Sequence, residues 1–271
     1  MEFKFWLQEN FLVRSMMKPW MDYKRSKAYK AYQNSADCKY IKTFKNKYEG
    51  KRCFIIGNGP SLKIEDLEKL TNEYTFGANR IYNLFSKTKW RPTFYLSVDL
   101  DVLRHSWKEL NNYNFNEMFL ATTMDFDMSQ FKSKATRIFQ EPKFVINKYD
   151  DQNAFISEDV SKFFSVGYTV TFTAIQFAIY MGFKEIYLIG MDFSFSNMRD
   201  KSGKTTKDNS VKDHFYEKKY KATVPFFFDN NLQAYNAARQ FADTHGIKIY
   251  NATRGGKLEV FERVGFDEII K

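Results

Sequence analysis

From Lys51 onward the chain alternates short apolar runs with glycine-containing turns and amphipathic stretches, the change of period that separates strands from helices. Apolar runs at 52–56, 74–77, 93–98, 118–121, 185–189 and 248–250 predict strands. The run Cys53-Phe54-Ile55-Ile56 is apolar at consecutive positions, as a buried strand requires. Helical patterns cover 65–70, 102–111, 169–181 and 230–244. The last is punctuated by Asp229 as a candidate N-cap and by Gly246, placed to close the helix in a left-handed conformation. This order predicts an α/β, Rossmann-like fold, a mostly parallel sheet with helices on both faces.

Residues 163–183 contain no charged side chain over 21 positions, the length of a membrane span. Ser165, Gly167, Thr169, Thr171, Thr173 and Gln176 interrupt it and a strand pattern follows at once, so the stretch predicts a buried helix. The polar stretch 196–212 predicts a mobile loop, an active-site lid. Residues 1–45 mix Phe3, Phe5, Trp6, Phe11 and Trp20 with Lys24, Arg25, Lys27 and Lys30. They predict a basic, aromatic, helical appendage ahead of a catalytic domain at 46–271. Such an appendage either packs on the domain or serves as a membrane-surface or partner-binding arm.

Charge sharpens this picture. The 271 residues carry a net charge of +10, and the first 50 hold eleven Lys or Arg against five Asp or Glu. An anionic partner suits that balance: a nucleotide, an acidic glycan, nucleic acid or lipid headgroups. Hydrophobic residues at 44% and aromatics at 18% exclude a disordered chain. Two cysteines, Cys38 and Cys53, fit a reducing, cytoplasmic compartment. Charges at Glu2, Lys4, Glu9 and Arg14 break up any signal-peptide core. No His/Cys cluster has zinc spacing and no nucleophile elbow is present, so neither zinc nor serine-hydrolase chemistry is expected.

Four constellations carry candidate chemistry. Strand 52–56 runs into Gly57-Asn58-Gly59-Pro60-Ser61-Leu62 and then a helix pattern. Glycines there let main-chain amides approach a phosphate at a helix N-terminus, or simply make a tight strand–helix connection. Strand 185–189 ends in Gly190-Met191-Asp192; Asp192, at the carboxyl end of a strand, suits a ribose or sugar hydroxyl or a metal, or a turn. Of three histidines, His105 lies mid-helix and His245 at a helix C-terminus. His214, beside Asp213 and after the polar loop, is the candidate general base. Residues 250–259 form another strand and glycine turn, with Arg254 and Lys257 placed to wrap a base or phosphate.

The segments Gly57–Leu62, Phe76-Gly77-Ala78-Asn79-Arg80-Ile81-Tyr82, 181–192 and 251–261 resemble the MptE-like family, named for a 6-hydroxymethylpterin diphosphokinase and found in bacterial surface-polysaccharide loci. The resemblance runs from about Lys42 to the C-terminus, and extends to motility accessory factors. The same motifs are more distantly similar to bacterial lipooligosaccharide sialyltransferases. That likeness implies a sialyltransferase-like Rossmann sheet and transfer of a sugar from a nucleotide donor, CMP-activated, with no cofactor. By motif it places Gly57, Asn58, Gly59, Ser61, Asn79, Asp99, Thr169, Asn251, Thr253 and Gly255 around the nucleotide, with Asp192 and His214 catalytic and His214 as the base. A tyrosine of those enzymes, two positions past the strand aspartate, is Ser194 here. The expected partners are a nucleotide-sugar donor and a glycan or lipid-linked acceptor, with peripheral membrane contact through the basic N-terminus at the inner face of the membrane. The MptE-like resemblance implies instead diphosphoryl transfer from ATP to a pterin-like alcohol, with Mg2+ held by Asp99, Asp101 and Asp192. Charge and aromatics alone would also suit RNA, but the ordered motifs favour an enzyme without a nucleic-acid partner.

Overall fold

The computed structural model describes residues 11–122, 126–141, 154–200, 204–215 and 226–270; Phe3, Phe5, Trp6, residues 201–203 of the polar stretch and Tyr216 lie outside them. Two helices come first, α1 (Phe11–Gln33) and α2 (Ala36–Lys42). They are followed by β1 (Arg52–Ile56), α3 (Ile64–Lys69), β2 (Tyr74–Ala78), a 3-10 segment (Asn79–Leu84), β3 (Phe94–Ser97), α4 (Leu100–Leu110), β4 (Glu117–Ala121) and β5 (Ala135–Ile138). The second half holds α5 (Val170–Tyr180), β6 (Glu185–Ile189), β7 (Asn197–Arg199), β8 (Thr205–Lys207), β9 (Phe226–Phe227), α6 (Phe228–Thr244), β10 (Lys248–Asn251), β11 (Glu262–Arg263) and α7 (Phe266–Ile269).

The main sheet has eight strands in the order β11-β10-β6-β1-β2-β3-β4-β5, and every pairing in it is parallel. Its layers follow from β1. Cys53 and Ile55 join a core with Tyr32, Cys38 and Ile41 of the N-terminal helices, Ile175 of α5 and Ala238 of α6. Phe54 and Ile56 face the opposite core, with Leu67 of α3, Leu103 of α4 and Phe266 of α7. Both faces of the central strands are therefore dry, which explains the unbroken apolar run. The fold is a Rossmann-like α/β sandwich of three layers.

The chain winds outward from β1 to β5, then returns to place β6 on the other side of β1. The carboxyl ends of β1 and β6 thus flank the point where strand order reverses, the place where open α/β sheets bind ligands. Helix α5 is apolar on nearly all sides, with buried Phe172, Ala174, Ile175, Phe177 and Ala178. It is a core helix, and no helix among the described residues is long and apolar enough to cross a membrane.

Three sequence expectations change. Asp229 is not an N-cap: it lies in the first turn of α6, whose capping position is Phe227 with no side-chain cap bond. The polar stretch at 196–212 is not a plain loop, because β7 and β8 pair antiparallel and β9 joins β7. β5 was absent from the prediction because Ala-Thr-Arg-Ile lacks an apolar run; Thr136 and Ile138 point inward, while Ala135 and Arg137 lie at the half-buried surface. Gly246, at φ +63°, does close α6 in the left-handed region.

Candidate active site

A cavity of about 1030 Å³ opens at the carboxyl ends of β1, β2, β3 and β6. Gly57, Asn58 and Gly59 form one wall, with Asn79 and Asp99 beside them; Thr169, which caps α5, and Thr171 and Thr173 of that helix form another. Asp192 to Asn197, Asp213 and His214 complete it with the aromatic side chains of Phe226, Phe227 and Tyr235. No lysine or arginine is among the described lining residues.

Three non-glycine residues of this wall, Asn79 (φ 52°), Tyr168 (φ 58°) and Phe193 (φ 51°), hold left-handed backbone. Asparagine tolerates that region, but tyrosine and phenylalanine do so at a cost of about 1–2 kcal/mol. Among the described non-glycine residues only Asn46 shares this conformation outside the wall. Concentrated strain of this kind accompanies functional sites.

In the glycine turn the amides of Gly57, Gly59, Ser61 and Leu62 are taken within the protein rather than held out as the phosphate cradle that the sequence suggested. Gly57 N–H donates to the Ile189 carbonyl at 2.8 Å and Gly59 N–H to the Gly190 carbonyl at 3.0 Å. Pro60 has no N–H. Ser61 N–H and hydroxyl both donate to the Asp192 carboxylate, the hydroxyl to Oδ2 at 2.7 Å, and Leu62 N–H returns to the Gly59 carbonyl. The glycines are required by close approach of the β6 loop. A Cβ on Gly57 would overlap the Gly190 carbonyl oxygen, and one on Gly59 would overlap the Asp192 carboxylate. Asp192 therefore works as a strap between two turns: its carboxylate lines the cavity and accepts from Ser61, which does not.

What the turn leaves over is an acceptor closed off from solvent. Asn58 Nδ2 donates to the Ala78 carbonyl at 3.1 Å, so the amide orientation is fixed. Oδ1 is left buried and without a hydrogen-bond partner. Asn197 Oδ1, also in the wall, shares that condition. A buried acceptor without a partner is worth about 1–3 kcal/mol to any donor that reaches it. A hydroxyl or amine can do so, whereas a phosphate oxygen, itself an acceptor, cannot.

His214 is held directly over this turn. The next residue, Phe215, donates its N–H to the Asn58 carbonyl at 3.0 Å, and Asp213 Oδ1 accepts the Ser196 N–H at 2.6 Å. The two bonds tie the segment that carries the imidazole to the turn after β1 on one side and to the residue preceding β7 on the other.

The remaining predicted residues divide. Thr169 lines the cavity and caps α5, accepting from Thr171 N–H at 3.3 Å; Asn79 Oδ1 accepts from the Ser97 hydroxyl at 3.0 Å. Asp99 lines the cavity but caps α4, its Oδ1 accepting from Asp101 and Val102 N–H. Asn251, Thr253 and Gly255 are not brought to the wall. Asn251 ties Leu258 and Thr253, and Thr253 Oγ1 accepts from Met191 N–H at 3.0 Å. Gly255 gives its carbonyl to Arg263. Arg254, expected near phosphate, pairs with Asp66 at 2.7 Å and Asp267 at 2.9 Å. Sequence reasoning passed over Asn197, Gln140, Tyr168 and Tyr235. Alternate threonines at 169, 171 and 173 in an otherwise apolar helix were a readable signal for that wall.

Glu141 supports the wall from behind. Its Oε1 accepts the Val166 N–H at 2.7 Å, Oε2 is buried without a partner, and burial raises its pKa to about 7 against the opposing Val166 bond. The folded state thus holds a proton that the unfolded chain releases near its ordinary carboxylate value. Stability falls as pH rises from about 4.5 to about 7 and levels off above. Thermal midpoints across that window should show this slope, and Glu141→Gln should abolish it.

A family model described as 6-hydroxymethylpterin diphosphokinase MptE-like matches residues 26–198. Among solved structures, the chain is similar to the MAf glycosyltransferase from Magnetospirillum magneticum AMB-1, at 14% identity and a TM-score of 0.46, over 84% of this chain and 38% of that one. It is also similar to the sialyltransferase CstII from Campylobacter jejuni in complex with a substrate analogue, cytidine-5'-monophosphate, at 18% identity and a TM-score of 0.43, over 80% of this chain and 85% of that one. The chain thus spans well under half of the first of these proteins. No curated protein matches.

Proposed function

For a chain that belongs to the MptE-like family over most of its length, we propose transfer of a sugar from a singly charged, CMP-type nucleotide donor to a glycan acceptor, with His214 as general base. The observation that carries this reading is the make-up of the cavity wall. It sets one imidazole, three carboxylates and two buried amide oxygens around the N-terminus of α5. A triphosphate would bring about four negative charges into such a wall, and phosphoryl transfer relies on cations to offset them. A nucleoside monophosphate sugar brings about one, which the N-terminus of α5 can accommodate through its partial positive charge.

In this reading the Asn58 and Asn197 side chains shift on binding, so that their buried Oδ1 atoms accept from donor hydroxyls or from the amine of the base. Tyr168, exposed at the cavity mouth and 5.5 Å from the Phe227 ring, gives the acceptor sugar an aromatic face. His214 takes the acceptor hydroxyl proton as the glycosidic bond to the nucleotide phosphate breaks.

The family's description favours a second reading, diphosphoryl transfer with Mg2+. The carboxylates it would use do not converge: Asp192 is bound to Ser61, Asp99 caps α4, and Asp101 lies outside the wall and pairs with Arg104. No group of three metal-ligating side chains occurs among the described residues.

Thermal shift with CMP, CDP, UDP, GDP and ATP, each with and without magnesium, separates the two. Stabilisation by CMP that survives EDTA is expected; stabilisation by ATP only with magnesium would overturn the proposal. Asn58→Ala should weaken CMP binding about tenfold in calorimetry.

A further inference from the structure

Helix α1 has two unlike faces. Its inner face docks through Tyr29, 5.5 Å from Phe139 and 6.4 Å from Phe163, and through Tyr32, stacked 5.2 Å from Phe139. Tyr32 is fully buried. Its outer face carries Trp20, Tyr23, Lys24, Lys27 and Lys30, all exposed and brought together by the helical repeat of 3.6 residues. Met21 and Arg25 flank them, also exposed.

Two features set this face apart. Only five large hydrophobic side chains are exposed among the described residues, and three of them sit here: Trp20 at 52%, Met21 at 40% and Tyr23 at 66%. Residues 18–33 also hold five Lys or Arg and a single acid, Asp22, which is half-buried rather than exposed. Lys24 Nζ lies 3.9 Å from the Trp20 ring centroid, so the cation sits over the face of an indole that is itself half exposed.

We propose that this face binds the surface of an anionic lipid bilayer. Tryptophan and tyrosine rings settle at the headgroup level, and lysines flanking them meet anionic lipid. The thioether of Met21 adds apolar surface, which favours lipid over a nucleic-acid backbone. The helix lies against the wall of the cavity: Phe139 and Phe163 neighbour Gln140 and Phe164, which line it and bridge to each other. Bilayer contact would therefore bring the cavity close to a lipid-linked acceptor. Only that consequence rests on the proposed glycosyl transfer; the binding itself does not.

The test is co-sedimentation of the full chain with phosphatidylcholine vesicles, with and without phosphatidylglycerol, at low and high salt. Partitioning is expected only with phosphatidylglycerol, and weaker in salt. Lys24→Gln/Lys27→Gln should lower it about thirtyfold, about fivefold per cation, and Trp20→Ala/Tyr23→Ala should lower it at least as far. All four residues are exposed, so both variants should keep the wild-type thermal midpoint and the wild-type CMP response. Equal partitioning onto neutral vesicles, no partitioning, wild-type partitioning by the variants, or binding to RNA without binding to vesicles would each overturn the proposal. Loss of the CMP response with vesicle binding intact would sink the enzymatic reading and leave this one standing.

Discussion

His214→Ala is expected to reduce sugar transfer by about a hundred- to ten-thousandfold while leaving nucleotide affinity within about twofold of wild type. The expectation rests on where the side chain is carried. Phe215 N–H and the Asn58 carbonyl fix the backbone on one side of His214, and Asp213 with the Ser196 N–H fixes it on the other. Removing the ring therefore leaves its surroundings in place. The wall proposed to meet the nucleotide, Asn58, Asn79 and the first turn of α5, is built from other segments. A general base contributes through the transition state, so the loss should appear in kcat with little change in KM for the donor. Initial rates at saturating donor and calorimetric nucleotide titrations read the two separately. A variant with undiminished kcat removes His214 from the chemistry. A variant that no longer binds nucleotide makes it a binding residue instead.

The fold was legible where burial is two-sided. Runs such as Cys53–Ile56 admit few alternatives, because four apolar residues in succession, cut off by a glycine turn, are too short for a buried helix and fit a strand covered on both faces. β5 and the small sheet were not legible. Thr136 is buried despite its hydroxyl, and β7 and β8 offer one apolar side chain, Met198, among six residues. The site was half legible for a related reason. Gly57 and Gly59 announce that something comes close to the backbone, and neither has positive φ, so close approach is the cause. Which partner approaches depends on Gly190 and Asp192, more than 130 positions away in the chain. Local pattern cannot distinguish a carbonyl from a phosphate at that distance. The same long-range contact assigns Asp192 to Ser61, where strand position alone had suggested a ligand or a metal.

Gly57→Ala puts the two interpretations of the turn into direct opposition. A phosphate cradle would lose nucleotide affinity on gaining a methyl group and keep its stability, since the obstruction would fall in space meant for ligand. The structure instead has the new Cβ collide with the Gly190 carbonyl oxygen and lie 2.8 Å from the Gly190 carbonyl carbon and Met191 Sδ. Backbone has little room to give. To relieve the overlap, the loops after β1 and β6 must part, stretching the Gly57–Ile189 and Gly59–Gly190 hydrogen bonds at the junction of the two central strands. Overpacking of this sort costs about 3 kcal/mol, so the thermal midpoint of the ligand-free protein should fall by about 6–12 °C. Gly255→Ala is the matched control. Its φ of +70° strains an alanine, but no atom lies within 4 Å of the new methyl group, so the loss should be confined to about 1–2 kcal/mol of backbone strain. If Gly57→Ala melts with wild-type Tm yet fails to bind nucleotide, the turn holds phosphate after all and the carboxylate of Asp192 must yield to it.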